Sequence, residues 1–240
     1  MKIGRLPVIF ALLSAIVLTL SGLGVRAGLW TYPAGFSMIR WAAFGGLAAA
    51  ACAIVAMAIP KLRSGVLGGL LLSLCLGLGV AYLPWSWMQQ AKALPLIHDI
   101  TTDLSDPPVF RAILPLRAGA ANPAEYGGPE VAAAQRKGYP DIQPLELAIN
   151  PSMAFEFALK AAKAMGWQVV AADPGEGRIE ATATTVWFGF KDDIVVRVRP
   201  SATGSRIDVR SVSRVGKSDV GTNAKRIREY LAKVQANPGT

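Results

Sequence analysis

The sequence predicts an α-helical membrane region of three transmembrane helices, followed by a small α+β domain. The domain is expected to hold an antiparallel sheet of about four strands with two helices on one face. Three observations predict this. Three apolar runs of membrane length fall within the first 83 residues. No Asp or Glu precedes Asp99, so all 16 acidic residues lie in the last 142 positions. Beyond residue 150, two helical patterns bracket four strand-like segments.

The apolar runs cover residues 7–25, 38–59 and 65–83, and only Arg40 interrupts them. About 20 apolar residues in a helix cross a hydrocarbon core of roughly 30 Å. Gly45, Gly46, Gly68, Gly69, Gly77 and Gly79 allow helix backbones to approach closely in lipid. Trp30, Tyr32, Trp41, Tyr82, Trp85 and Trp87 sit toward the run ends, where aromatic side chains meet the membrane interface. The whole membrane region is read as residues 1–87.

Positive charge in short connections sets orientation. Lys2, Arg5, Lys61 and Arg63 fall on one side; Arg26, Arg40 and Lys92 fall on the other. This bias places the N-terminus in the cytoplasm and the C-terminal domain outside it. A rival reading takes the first run as a cleaved signal peptide, with Val25-Arg26-Ala27 as the cleavage region, which leaves two helices.

The net charge of +9 divides into +6 on the first 87 residues and +3 on the rest. Most of the basic excess therefore flanks apolar runs, where it governs topology. A nucleic-acid partner is not expected; the bilayer is. Both cysteines, Cys52 and Cys75, lie inside apolar runs. The soluble part thus has no thiolate nucleophile and no thiolate metal site.

Residues 88–150 carry eight prolines and read as an extended segment wrapping the domain, with Val109-Phe110, Ile113-Leu114 and Ile142 docking. One short helix is expected near 129–136. The compact domain then occupies residues 151–240. Asn150 and Pro151 form a helix start, and Ala154, Phe157, Ala158, Ala161, Ala164 and Met165 give its apolar stripe. Strands are expected at 167–172, 178–184, 194–199 and 206–212, the last three by strict alternation. A final helix starts near Asp219 or Thr222, with Ile227, Leu231 and Val234 inward and Lys225, Arg226, Arg228 and Lys233 polar. The second sheet face carries Arg178, Glu180, Arg197, Arg199, Arg206, Asp208 and Arg210, and is expected to be solvated.

Several segments resemble one family. They are Ile97-His98-Asp99-Ile100-Thr101-Thr102-Asp103, Tyr139-Pro140-Asp141-Ile142, Met165-Gly166-Trp167, the stretch from Arg178 to Asp193, and the stretch from Arg210 to Asp219. Together they resemble the domain of unknown function 1499 family over roughly residues 97–235. The resemblance implies a protein of bacteria, often carried behind membrane helices, or of chloroplasts; with the charge bias, the expectation is a bacterial inner-membrane protein with a periplasmic domain. It implies no catalytic residue, because the family has no established activity.

Four constellations bear on function. His98, Asp99 and Asp103, with Asp106 nearby, present an imidazole and carboxylates that suit a divalent cation. The competing reading has them capping turns and pairing with arginines. Arg197, Arg199, Arg206, Arg210, Arg214 and Lys217 are candidates for binding an anion, a lipid headgroup or a protein partner. Gly216-Lys217-Ser218 resembles a phosphate-binding loop, but Ser211 stands where that loop needs glycine, which excludes nucleotide binding. Trp187-Phe188-Gly189-Phe190 is read as core, or else as an exposed contact patch.

Two functions follow. The first is a membrane-anchored accessory or binding module whose outer domain docks an envelope protein partner or an anionic lipid surface. The alternative is a metal-assisted, hydrolase-like enzyme using His98 and neighbouring Asp residues. No cofactor is expected, and no serine lies in a nucleophile-elbow setting.

Overall fold

A computed structural model describes residues 3–236. Lys2, counted above toward orientation, lies outside them. The chain forms two compact units. One comprises the residues up to Lys92 together with the loop Val186–Gly189; the other comprises Ala93–Thr185 and the chain from Phe190 onward.

In the first unit, helices α1 (Leu6–Arg26), α2 (Tyr32–Ala58) and α4 (Leu67–Ala93) are each long and apolar enough to cross a membrane. The one-turn α3 (Pro60–Arg63) links the second to the third. Two helices outrun the apolar stretches that announce them. Helix α2 begins at Tyr32 with a proline in its first turn, where no amide bond is lost. Helix α4 continues through Pro84 to Ala93. Proline removes one backbone bond there, and the remaining ladder still holds the helix. Residues 88–93 are thus helical rather than extended.

Small residues decide how these helices pack. At Gly77 an added Cβ would lie 2.4 Å from the Gly46 carbonyl oxygen, so α2 and α4 touch backbone to backbone. The buried Ser73 hydroxyl reaches the Ala49 carbonyl beside this crossing, at 3.4 Å. Ala53, Ala56 and Leu70 form one apolar cluster, and Leu18, Ala42 and Val80 another.

The loop Val186–Gly189 packs within this same unit. The Trp187 indole Nε1 donates to the Thr19 carbonyl at 3.0 Å, and its ring lies 5.3 Å from that of Trp87. Phe188 is buried, with its ring 5.2 Å from Phe36. Neither aromatic joins the core of the α+β domain, nor forms a free patch. These partners lie 100 or more positions away in sequence.

The second unit contains β1 (Asp99–Thr101), α5 (Gly128–Gly138), β2 (Leu145–Leu147), α6 (Pro151–Ala164), β3 (Gln168–Asp173), β4 (Arg178–Thr184), β5 (Lys191–Ser201), β6 (Gly204–Ser213) and α7 (Thr222–Gln235). The sheet has six strands rather than four. Strands β3 to β6 form an antiparallel meander, and β1 and β2 pair with different parts of the outer edge of β6. Each of these extra strands has three residues, too short for an alternating pattern to register.

One sheet face packs on α6 and α7. Ile179, Ala181, Ile194, Val196, Ile207 and Val209 meet Ala154, Ala158, Ala161, Ile227 and Tyr230 there. Helix α6 starts as its sequence requires: the Asn150 side chain accepts from the Met153 amide at 2.9 Å. Tyr230 stacks on Trp167 at 4.8 Å and donates its hydroxyl to the Ala158 carbonyl. Helix α5 serves the edge of the sheet. Its buried Gln135 carboxamide accepts from the Thr101 amide and donates to the Thr101 carbonyl, at 2.9 and 2.6 Å. It thus meets backbone groups that β1 would otherwise leave open to another strand.

Candidate functional site

Alternation along β4, β5 and β6 sends Glu180, Thr182, Asp193, Arg197, Asp208 and Arg210 to the face opposite the helices. That face is not solvated. The segment 102–126 crosses it as a strap, and Glu180, Asp193, Asp208 and Arg210 are buried. Phe110 and Ile113 pack on Val195 and Val212 to form a small apolar patch there. Val109 and Leu114, expected to dock beside them, remain exposed.

The strap is tied by charge. The Glu180 carboxylate accepts from the backbone amides of Arg111, Ala112 and Ile113 at 2.9 to 3.2 Å. Arg210 lies over Phe110 and Tyr126, pairs with Asp99 and donates to the carbonyls of Pro108 and Ala124. Arg117 comes from the strap and Arg214 from the chain just after β6. Both pair with Asp193, which also accepts from the Thr182 hydroxyl at 2.7 Å. Burial alone pushes the Asp193 carboxyl upward, but hydrogen bonds from Arg214, Thr182 and Arg117 outweigh it and hold it below the usual carboxylate range.

A second cluster lies farther along the sheet. Arg197, Arg199 and Arg206 share Asp103, Asp106 and Asp208, at distances of 2.8 to 3.4 Å. Three cations meet three anions, so the group is formally neutral. Burial raises the Asp103 pKa, but amide and hydroxyl bonds from Asp106 and Ser105, with the Arg206 charge, turn the net shift downward.

The structure therefore brings together Arg197, Arg199 and Arg206, and separately Arg210 with Asp99 and Arg214 with Asp193. Lys217 is exposed and forms no ion pair among the described residues. The three groups Arg210, Arg214 and Lys217 do not converge on one anion site. The start of α7 already holds an anion of its own: the Asp219 carboxylate accepts from the amides of Gly221 and Asn223, at 3.1 and 2.6 Å. Burial, and then the charge of Asp192, raise the pKa of that carboxyl.

The expected metal ligands also separate. Asp99 faces Arg210 in a two-point ion pair, and Asp103 faces Arg206 and the turn at Ser105. The His98 carbonyl accepts from Ser213 and Asn223, while its imidazole makes no hydrogen bond or ion pair among the described residues. Among the described residues, no group of three His, Cys, Asp or Glu side chains is placed to hold a metal ion.

Sequence reasoning missed two participants. Arg226, assigned to the polar face of the last helix, is buried and pairs with Asp192 at 2.6 Å. Arg117 is buried within the proline-rich strap. The one available signal was compositional: a domain rich in Arg and Asp, in which arginine suits buried pairing better than lysine.

The fold and this face define a class: an α+β domain carried on apolar helices, its second sheet face lined with ion pairs under a strap. Residues 99–234 match the model of a family described as protein of unknown function (DUF1499), and the chain belongs to that family. No curated protein matches the chain.

Proposed function

We propose that the protein is a membrane-anchored accessory module whose C-terminal domain acts by docking to another surface, with no covalent chemistry of its own. The carrying observation is the engagement of its ionisable groups. The carboxylates and arginines of the second sheet face are bound to one another or to the strap, as a structural layer would be. A general base or nucleophile needs a partner within hydrogen-bonding reach. The imidazole of His98, the sole histidine, has none among the described residues.

The test is a His98→Ala full-length chain. Docking predicts an unchanged melting temperature and unchanged function in cells. Loss of cellular function with normal folding overturns the reading.

The charge bias further supports an N-terminus in the cytoplasm and a domain on the outer side, periplasmic in a bacterium. Thr203→Cys on the exposed β5–β6 turn, with Cys52 and Cys75 replaced by Ser, reports this directly. A membrane-impermeant thiol reagent should label it in intact cells. Labelling only after lysis reverses the orientation.

A further inference from the structure

We infer that one end of the β-sheet is a seat for an anionic phospholipid surface, an inference that rests on the docking reading above. The end is defined by the pairing register: Thr184 lies opposite Lys191, Asp192 opposite Ser213, and Val212 opposite Asp99. Strand β4 ends here, β5 begins, β6 ends and β1 begins. The Arg214 amide donates to the Lys191 carbonyl, and the Asp219 amide to the Ile97 carbonyl, so the loop after β6 is fastened to this end.

Two kinds of exposed side chain gather there. Leu96 is 77% exposed and Val220 45%. Lys191 and Lys217 are exposed and unpaired among the described residues, whereas the buried cations of the same region, Arg214 and Arg226, are neutralised by Asp193 and Asp192. Free lysines beside exposed aliphatics suit a membrane interface: the apolar groups enter the headgroup boundary and the ammonium groups meet phosphates. A protein interface is depleted in lysine, which favours the lipid surface.

Val220 carries a positive φ of 51°, rare for a β-branched residue, in the turn that presents its side chain. Such strain persists where the surrounding structure fixes it.

The full-length protein tests this in nanodiscs of phosphatidylcholine alone or mixed with phosphatidylglycerol. A nitroxide on Val220→Cys, in a chain with Cys52 and Cys75 replaced by Ser, reports immersion from its collisions with oxygen against a water-soluble nickel complex. Thr203→Cys, at the far end of β5 and β6, is the reference position. The expected result is an oxygen-rich, nickel-poor signal at position 220 that strengthens with phosphatidylglycerol and is absent at 203. Charge reversal of Lys191 and Lys217 together should cut the seated population roughly tenfold or more, from about 1 kcal/mol per basic group. A nickel-accessible label at 220 in both lipids overturns the lipid seat. So does protection that ignores lipid charge and lysine reversal, which assigns this end to a protein. Either failure leaves the docking reading to its own His98→Ala test.

Discussion

Asp99 and Arg210 form a buried two-point ion pair, with Nε to Oδ1 at 2.9 Å and Nη2 to Oδ2 at 2.7 Å. It joins the first strand of the sheet to β6 across 111 positions. Removing one partner leaves a charge stranded in a dry site, at a cost of about 3–5 kcal/mol. Asp99→Ala should lower stability by that much in thermal unfolding. Asp99→Leu with Arg210→Met should lose less than Asp99→Ala alone. A loss below about 1 kcal/mol for the single change would mean that water reaches the site.

Glu180 holds the strap through three backbone amides. Glu180→Gln keeps the size but removes an acceptor and the charge. The expected cost is about 1–3 kcal/mol for the donors left short. Hydrogen exchange should locate it, with faster exchange at Arg111, Ala112 and Ile113 and little change at the β4–β5 ladder. Uniform acceleration would instead show that the strap and the sheet open together.

Two carboxylates give opposite pH dependence. The folded Asp193 pKa lies below its unfolded value of about 3.9, so its contribution is present above that value and is lost as pH falls through the folded one. The folded Asp219 pKa is raised, so its contribution is present below about 3.9 and is lost as pH rises through the elevated value. Denaturant titrations across acidic to neutral pH should show a shallower acid limb in Asp193→Asn. Asp219→Asn should remove a decline on the rising side. Parallel curves for wild type and both variants would contradict the assignment.

Gly77 and Gly68 both lie on α4 and make an internal control. An added Cβ at Gly77 meets the Gly46 carbonyl at 2.4 Å, whereas at Gly68 nothing lies within 4 Å. Gly77→Val should force the helices apart and destabilise the bundle by about 1–3 kcal/mol. Gly68→Val should be neutral or mildly stabilising, because glycine is a poor helix former. Equal effects on detergent melting temperature would show that α2 and α4 do not cross at Gly46.

Much of this fold is legible in the sequence where the signal is local. Long apolar runs announce α1, α2 and α4. Asn150-Pro151 announces α6, and Ile179, Ala181 and Ala183 announce the buried face of β4. What stayed hidden depends on partners distant in sequence. Period-two alternation assigns Glu180, Asp193, Asp208 and Arg210 to one face, but it cannot say what covers that face. The cover is a proline-rich strap without periodicity, so a solvated face was the natural expectation. Asp99 and Asp103 pair with Arg210 and Arg206, as the turn-and-arginine reading of that segment expects, although the sequence could not say which arginines.

The placement of β6 has a consequence for biogenesis. It is the strand on which β1, β2 and β5 all pair, and α7, which packs over the same sheet, comes after it. A ribosome has made more than 200 residues before this strand leaves it. Until then, β1 and β2 have no strand to pair with. The three helices long and apolar enough to cross a membrane are complete well before this strand is made. Folding of the domain is then released late and nearly at once, when residues 204–213 supply the missing edge.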